Sequence, residues 1–542
     1  MRHGAISNLR ISNSKFQFGP PFSRTCEWAG DAPSRRAISN FQFQIFNFQF
    51  HSRRKFGAHS SCYLGSPKTL KSEHQTRASV LVGLLWCVAI LSVVVIGVLH
   101  SARLNLLVVK NHGDLIQAHY LALAGTEKTK ALLYLDMKER QHSVRNHSGE
   151  LYDAPEQFRD VSFGRGQFRV FHEGRRDEGG GILYGVTDEE SRLNVNQATA
   201  EELGKLSGMT PEFVAALLDW RDDDNEVTPG GAEADYYVSL QPPSLPRNGP
   251  LQTTRELLMV RGLPRDLFLG EDVNQNGLLD PEEDDGNDSF PPDNHDGILD
   301  AGWSGLITVD SAVQNKNAAG EDRINVQTAD EKTLASVKGI SAALAKAIVA
   351  YRGQNQLDTL ADLLDVAAVN QSANPLDPLQ SAQASNPAPT RTSGSSSSRT
   401  GANRSSSQTS GPKLISENLL MEIADDLMAG NSSEEHTGAI NINTASTEVL
   451  ACLPGVTPDL AQAIVAYRRS AGFFANIAWL LKVDGMNRDI FKQMAPRVCA
   501  RSETFRILSE GRISSTGARK RIQVIVQFGS GEFTTLSWRE DL

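Results

Sequence analysis

The sequence predicts an α+β fold: one long N-terminal helix, an antiparallel sheet assembled from strands at both ends of the remaining chain, and two-helix modules inserted between them. Three observations predict it. From Ala78 to Ala102 there is no Asp, Glu, Lys or Arg, and an apolar helical period then continues to Leu135. One segment occurs three times, starting at Leu193, Ile324 and Ile440. Strand-like runs flank the copies, Phe163–Val170 and Gly181–Val186 before them, Phe505–Leu508, Arg521–Phe528 and Phe533–Trp538 after.

Residues 1–77 form a basic leader, with twelve Lys/Arg against three Asp/Glu. Two explanations stand for it: an unstructured segment, or a start codon assigned too far upstream. Residues 78–102 are long enough to cross a bilayer, which takes about 20 apolar residues. The positive-inside rule puts the leader in the cytoplasm and everything after Arg103 across the membrane. Residues 103–187 then hold the soluble half of the helix, broken only by Gly113 and Gly125, and the first strands.

The repeated copies read LNVNQATAEELGKLSGMTPEFVAALLDWR, INVQTADEKTLASVKGISAALAKAIVAYR and ININTASTEVLACLPGVTPDLAQAIVAYR. Thr199, Asp330 and Ser446 can cap a first helix, with Glu202 and Glu448 placed as in a capping box. Gly208, Gly339 and Gly455 supply the left-handed residue that ends it. Pro211 and Pro458 suit the first turn of the next helix. Each unit resembles a helix-hairpin-helix, or SAM-like, module. The predicted limits are 188–265, 320–368 and 436–500. Residues 266–303 form an acidic loop between the first two. Residues 371–412, rich in Ser, Asn, Pro, Thr and Gln, read as a disordered linker. Residues 503–542 return as the sheet's last strands.

Helix-hairpin-helix modules often bind DNA. DNA-binding versions resemble L-P-G-h-G, and the turns GMTP, GISA and GVTP all lack the second glycine. The chain has 54 Lys+Arg against 64 Asp+Glu, a formal charge of −10, not the basic footprint a duplex requires. A packing role is therefore expected, and no nucleic acid partner. No catalytic constellation stands out, so no enzyme is expected; His112 and His119 are surface residues of the long helix. Of five cysteines, Cys452 and Cys499 lie beyond the membrane in or beside the third module, either bridged or as two buried thiols.

One loop has metal-ligand spacing. Asp272, Asn274, Asn276, Asp280 and Glu283 occupy positions 1, 3, 5, 9 and 12 of an EF-hand-type loop. Gly277 holds position 6, and Leu278 offers a backbone carbonyl at 7. Calcium wants six or seven hard oxygens around one point, and this spacing supplies them. A degenerate copy follows at Asn294, Asp296, Gly297 and Asp300, with Trp303 where the twelfth ligand belongs.

Three stretches resemble the K-type minor pseudopilin of bacterial type II secretion systems: RASVLVGLLWCVAILSVVVIGVLHSARLNL with the helix after it, DWRDDDNEVTPGGAEADYY with PRNGPLQTTRELLMVRG, and the last module before the terminal strands. The resemblance implies a pilin-like helix-on-sheet core and a structural role, initiating and capping the pseudopilus for protein export. It implies single-pass insertion in the inner membrane with the bulk of the chain periplasmic. Its partners would be the I- and J-type minor pseudopilins and prepilin peptidase. The peptidase would cut between Ala78 and Ser79, with Ala78 in the usual glycine position. Gly83 would then be mature residue five, where major pilins carry glutamate and K-type subunits do not. The family's inserted domain binds calcium, for which Asp222, Asp224 and Glu233 are the matching candidates. The alternative is a membrane-tethered, competence-type DNA-binding protein; turn chemistry and charge count against it.

Overall fold

The computed structural model describes residues 73–143, 151–288, 290–367, 412–430, 435–529, 531–540 and 542. The leader up to residue 72 and most of the Ser-rich stretch, 368–411, lie outside the described residues. The chain divides into two units, Met1–Ala89 and Ile90–Leu542. In the first, the described backbone is helix from Glu73 onward, so the helix includes Ala78 and Ser79 and starts upstream of the predicted residue 78.

The same helix reaches Ser143. It is long and apolar enough to cross a membrane, and its side chains are exposed from Val80 to Val109. From Asp114 one face becomes buried against an antiparallel sheet. In that sheet Val161–Phe163 pairs with Gly166–Val170, which pairs with Thr504–Arg512, followed by Arg519–Gly529 and Glu532–Arg539. The short strand Thr187–Asp188 also pairs with Thr504–Arg512. Ala118 and Leu121 pack on Phe168 and Ile513. Ala122, Leu133 and Met137 pack on Val170, Phe505, Ile507, Ile522, Val524 and Val526. The contact is close. A Cβ on Gly125 would lie 2.2 Å from Ser509 Oγ, and one on Gly511 2.0 Å from the Ala118 carbonyl. Gly125 thus costs helix propensity but lets the helix ride on the strand.

The three repeats fold as predicted and then go further. Helices Ala200–Gly204 and Pro211–Arg221 form the first hairpin, Glu331–Ser336 and Ala342–Arg352 the second, Thr447–Cys452 and Pro458–Ala471 the third. Thr199, Asp330 and Ser446 each cap their helix. Glu202 completes a capping box. Glu448 does not, because it stands two residues after Ser446 rather than three, and the Ser446 hydroxyl takes the Val449 amide. Gly208, Gly339 and Gly455 have φ of 76°, 99° and 71°.

The repeated asparagine and arginine also have defined tasks. Asn194, Asn325 and Asn441 accept from the amide two residues on. Their side-chain amides tie down the chain where each module ends, donating to Ser311 Oγ, the Gly430 carbonyl and Ser502 Oγ. The closing arginines reach back to the start of their own repeat: Arg221 to the Val195 and Ala198 carbonyls, Arg352 to Val326, Arg468 to Ile442 and Ala445.

Each module closes as a ring through a two-residue parallel pair. Leu193–Asn194 pairs with Ile307–Thr308, Ile324–Asn325 with Leu427–Met428, and Ile440–Asn441 with Val498–Cys499. Between the hairpin and the closing strand comes a second, shorter pair of helices: Thr254–Met259 with Arg265–Leu269, Leu360–Asp365 with Glu417–Ile423, and Ile477–Lys482 with Arg488–Met494. In the first two modules the closing strand therefore lies beyond the predicted limits of the helix-hairpin-helix unit. The acidic loop falls between the opening and closing strands of the first ring, and in chain order residues 371–412 fall between those of the second.

The third module packs between the other two. Arg497 makes a bidentate pair with the fully buried Glu202 at 2.8 and 2.9 Å, and Lys205 donates to the Leu453 carbonyl. Lys492 pairs with Asp362, and Arg488 with Glu417. Asp188, Glu189 and Glu190 join sheet to modules. Asp188 Oδ2 accepts from Asn441 Nδ2, Thr444 Oγ1 and Ser502 Oγ. Glu189 accepts from Arg506 and Thr308 Oγ1, and Glu190 from the Thr504 amide. Three consecutive buried carboxylates are expensive unless each has donors, and each has them, Glu189 and Glu190 both from the strand Thr504–Arg512. Cys452 and Cys499 are free, buried thiols, which leaves the bridged alternative unsupported. Burial pushes the Cys452 thiol up to about 12.

Candidate functional site

The first module's extra chain carries the chemistry. Two carboxylates at the end of its second helix, Asp219 and Asp222, meet Glu233 across the loop that follows, with an oxygen from each within 4.8 Å of the others. Asp219 is buried on the last turn, and Asp222 is the helix C-cap. Glu233 caps the next helix, Ala234–Val238, without a side-chain capping bond. Asp219 accepts from the Thr228 amide. Both carboxylate oxygens of Glu233, and Oδ1 of Asp222, are buried with no hydrogen-bond partner. Glu233 is only 2% exposed. A Cβ on Gly231 would sit 2.0 Å from Asp219 Oδ2, so glycine there lets the loop close over the carboxylates.

Burial, then the charges of Asp219 and Asp222, raise the Glu233 carboxyl above its usual range. Burial, then Asp224, does the same to Asp222. Buried carboxylates held together without hydrogen-bond donors are costly. An all-oxygen donor set with no His or Cys fits a hard divalent cation such as calcium rather than zinc. Asp224, a sequence candidate, is not in the triad; its Oδ1 takes the Glu226 amide. Asp219, which the sequence reasoning passed over, is. The signal was available, since Asp219 and Asp222 lie three apart on a helix and so on one face.

The EF-hand-type loop lies farther along the same ring. Asp272 Oδ1 and Oδ2 accept from the Asn276 and Gly277 amides, and Asn274 Oδ1 also accepts from Asn276. The side-chain amides of Asn274 and Asn276 both donate to Asp280 Oδ2, at 2.9 and 2.7 Å. Glu283 folds back, Oε1 onto the Val273 amide and Oε2 onto the Asp280 amide. Gly277 takes φ 73°, the turn demanded at position 6. The predicted oxygens therefore stand around one small ring. They are engaged by the loop's own amides, and Asp272, Asp280 and Glu283 are not among the carboxylate groups that meet within 4.8 Å. The Leu278 side chain is buried with Phe171 and Leu508 of the sheet domain. Burial raises both Asp272 and Glu283. Another group, Asp284, Asp293 and His295, closes to the same distance, but Asp293 is occupied by the Asp285, Gly286 and His295 amides.

The hairpin turns have a different chemistry. The position of the second glycine in DNA-binding turns is filled by Thr210, Ser341 and Thr457. Each hydroxyl caps the following helix by taking the Phe213, Leu344 or Leu460 amide. One of the free N–H groups at the start of each helix is thus satisfied within the turn.

Residues 184–269, which contain Asp188–Glu190, the first hairpin and the Asp219–Asp222–Glu233 triad, match the family model described as type II secretion system protein K. Residues 320–373 and 435–499 match the helix-hairpin-helix motif model. The type II secretion system protein K of Klebsiella pneumoniae is 27% identical over 172 residues, 29% of this chain and 48% of that protein. An endonuclease/exonuclease/phosphatase family domain-containing protein 1 from Bos taurus is 26% identical over 184 residues, 33% of this chain and 28% of that protein. The chain thus spans less than half the length of either curated relative. Among solved structures, a chain of the GspK-GspI-GspJ complex from enterotoxigenic Escherichia coli is similar, with 12% identity, a TM-score of 0.37, and coverage of 80% of this chain and 98% of that one.

Proposed function

We propose that this chain is a K-type structural minor pseudopilin that initiates and caps the pseudopilus for protein export, with no catalytic activity of its own. The observation that carries the reading is the K-protein domain of residues 184–269 in one chain with a membrane-length apolar helix. The helix-on-sheet core is the pilin-like part. Its helix is held in the inner membrane before assembly, with the N-terminus cytoplasmic and the bulk of the chain periplasmic. After assembly it packs against the helices of other subunits. Prepilin peptidase cuts between Ala78 and Ser79. Without a glutamate at the fifth mature position, Gly83, the subunit has no neighbour above to pair with, which suits the tip. The partners are the I- and J-type minor pseudopilins.

Calcium is the proposed cofactor. Asp219, Asp222 and Glu233 would hold one ion, and Asp272, Asn274, Asn276, the Leu278 carbonyl, Asp280 and Glu283 a second. A bound ion would supply the positive charge that the orphaned Glu233 and Asp222 oxygens require. Asp219 sets the position by anchoring the Thr228 amide, and Gly231 admits the closing loop.

Affinity purification of the full chain co-expressed with the I- and J-type subunits tests the assembly role. A stable ternary complex is expected. Recovery of the chain alone, together with retardation of duplex DNA at low salt, would replace this reading with the DNA-binding one. N-terminal sequencing of the membrane-extracted protein should begin at Ser79.

A further inference from the structure

The rim of the sheet that meets the helix first carries more positive charge than its surroundings can neutralise. Two turns lie there. Gly164–Arg165 follows Phe163, and residues 513–518 link Thr504–Arg512 to Arg519–Gly529. Both are fastened to the first part of the helix that the sheet covers. Arg165 donates to Gln117 and lies 3.7 Å from Asp114, and Thr516 Oγ1 donates to the other Asp114 oxygen. Along the helix Asp114 is eleven residues, or about 16 Å, beyond Arg103, and exposed Lys110 lies between.

Two successive rows on one face of the sheet show what is missing. In the inner row Arg169, Glu510 and Arg521 stand side by side, and buried Glu510 bonds both arginines, at 3.0 and 2.9 Å. In the next row toward the rim Gln167, Arg512 and Arg519 stand side by side. Like charges directly opposite repel, and here no acid separates them. Among the described residues no carboxylate is within ion-pair distance of Arg512, Arg519 or Lys520, all of which are exposed. Arg519 and Lys520 open onto a cleft of about 590 Å³ beside Leu115. The acid across it, Asp280, is engaged by Asn274 and Asn276. Phe163, 66% exposed, projects from the same rim beside 74%-exposed Arg165.

We infer that this rim, with Arg165, Arg512, Arg519, Lys520 and Phe163, docks onto anionic phospholipid headgroups of the bilayer from which the helix emerges. The inference rests on the membrane-anchored reading above. Headgroup phosphates take the place that Glu510 fills one row away, and Phe163 enters the interface, as apolar residues do beside basic ones on membrane-binding faces. Docking sets the orientation of the sheet and modules over the membrane before assembly and is released when the helix leaves the bilayer.

The test uses the full chain in nanodiscs of pure phosphatidylcholine or of phosphatidylcholine with phosphatidylglycerol. Backbone hydrogen exchange is followed at residues 162–166 and 512–520. Slower exchange is expected in the anionic discs only, reversed by salt at about 1 M, where the Debye length falls to about 3 Å. Each basic residue near an anionic surface favours docking about fivefold, so R512Q/R519Q should weaken it about 25-fold. Unchanged exchange at 504–511 in that variant reports an intact sheet. Equal exchange in both disc types, with the chain co-eluting with the discs, overturns the docking surface and leaves the anchor standing. Failure to co-elute with either disc overturns both.

Discussion

In the third module the chain leaves the strand Ile440–Asn441 and returns beside it at Val498–Cys499. In the first it leaves at Leu193–Asn194 and returns only at Ile307–Thr308. The framework is the same: a hairpin with left-handed glycine, an asparagine that ties the ring's ends, and an arginine that reaches back to the opening loop. The difference lies at two points. After the hairpin the third module turns straight into Ile477–Lys482, whereas the first inserts the loop that brings Glu233 to Asp219 and Asp222. After the shorter helix pair the third closes at once, whereas the first inserts the acidic loop. A ring whose stability resides in a few fixed contacts accepts insertions at its corners, and the cation-type groups sit in those insertions.

The sharpest test of a shared framework removes the arginine. Arg468, its side chain 10% exposed, donates to two carbonyls of its own repeat, and Arg221 does the same in the first module. Arg468→Ala leaves both acceptors without this donor and should cost about 3 kcal/mol. Arg221→Ala should cost about the same. Local opening measured by hydrogen exchange within each module reads this better than a global melt, because a chain of several modules is not two-state. A first module indifferent to Arg221→Ala would mean that its insertions, not the ring, hold it together.

Calcium should separate the modules next. With free calcium at about 100 times the dissociation constant of each site, each of the two proposed sites in the first module should gain about 2.7 kcal/mol and the third module nothing. Glu233→Gln should remove the gain around residues 219–238, and Glu283→Gln the gain around 272–283. Equal protection with calcium and with chelator in the unaltered chain would leave both groups as solvated or protonated acids.

Much of this was legible in the sequence, and the residues say why. Gly208, Asn194 and Arg221 each do one task that few other residues can, so their spacing survives in every copy. The sheet strands alternate in the ordinary way. Two-residue closing strands such as Leu427–Met428 have no periodicity to detect, so the return of the chain to Ile324–Asn325 is not legible in the sequence. The Asp188–Glu190 junction was equally invisible, because its donors come from residues up to 317 positions away. In the triad, Asp222 and Glu233 came from the family resemblance. Asp224 was named in place of Asp219 because adjacent acids in DWRDDD differ only in which way the helix end turns them.

The turn glycines offer a finer comparison. An alanine at either position must adopt left-handed backbone, which costs about 1–2 kcal/mol. At Gly455 the added Cβ meets Gln493 Oε1 at 3.0 Å, the far end of a flexible side chain; at Gly208 it meets Leu267 Cδ1 at 2.8 Å in a packed contact. Gly208→Ala should therefore destabilise its module more than Gly455→Ala. The reverse order in exchange-derived stabilities would mean that the first module's insertions relax around the change.

The smallest effect concerns the residue two places after each closing strand. In the third module this is Arg501, whose guanidinium meets Asp425. Burial works against the Asp425 charge, yet Arg501 and then Arg323 hold its carboxyl below the ordinary range. In the first module the same place holds Asp310, where burial and then Glu189 push the carboxyl up to about 6, with Arg506 opposing. The two acids must therefore respond to pH in opposite senses. Asp310, raised in the folded state, favours folding below its unfolded value near 3.9, and that advantage is lost as pH climbs to about 6. Asp425, depressed, favours folding above its unfolded value and loses that contribution as pH falls through its folded one. Asp310→Asn should raise the melting temperature at pH 7 by on the order of 1 °C and leave it unchanged at pH 4, whereas Asp425→Asn should lower it at pH 7. Scanning fluorimetry of the two variants across pH 4–8 decides the matter. A constant offset for Asp310→Asn at every pH would mean that Asp310 is ionised throughout, with Arg506 outweighing both burial and Glu189.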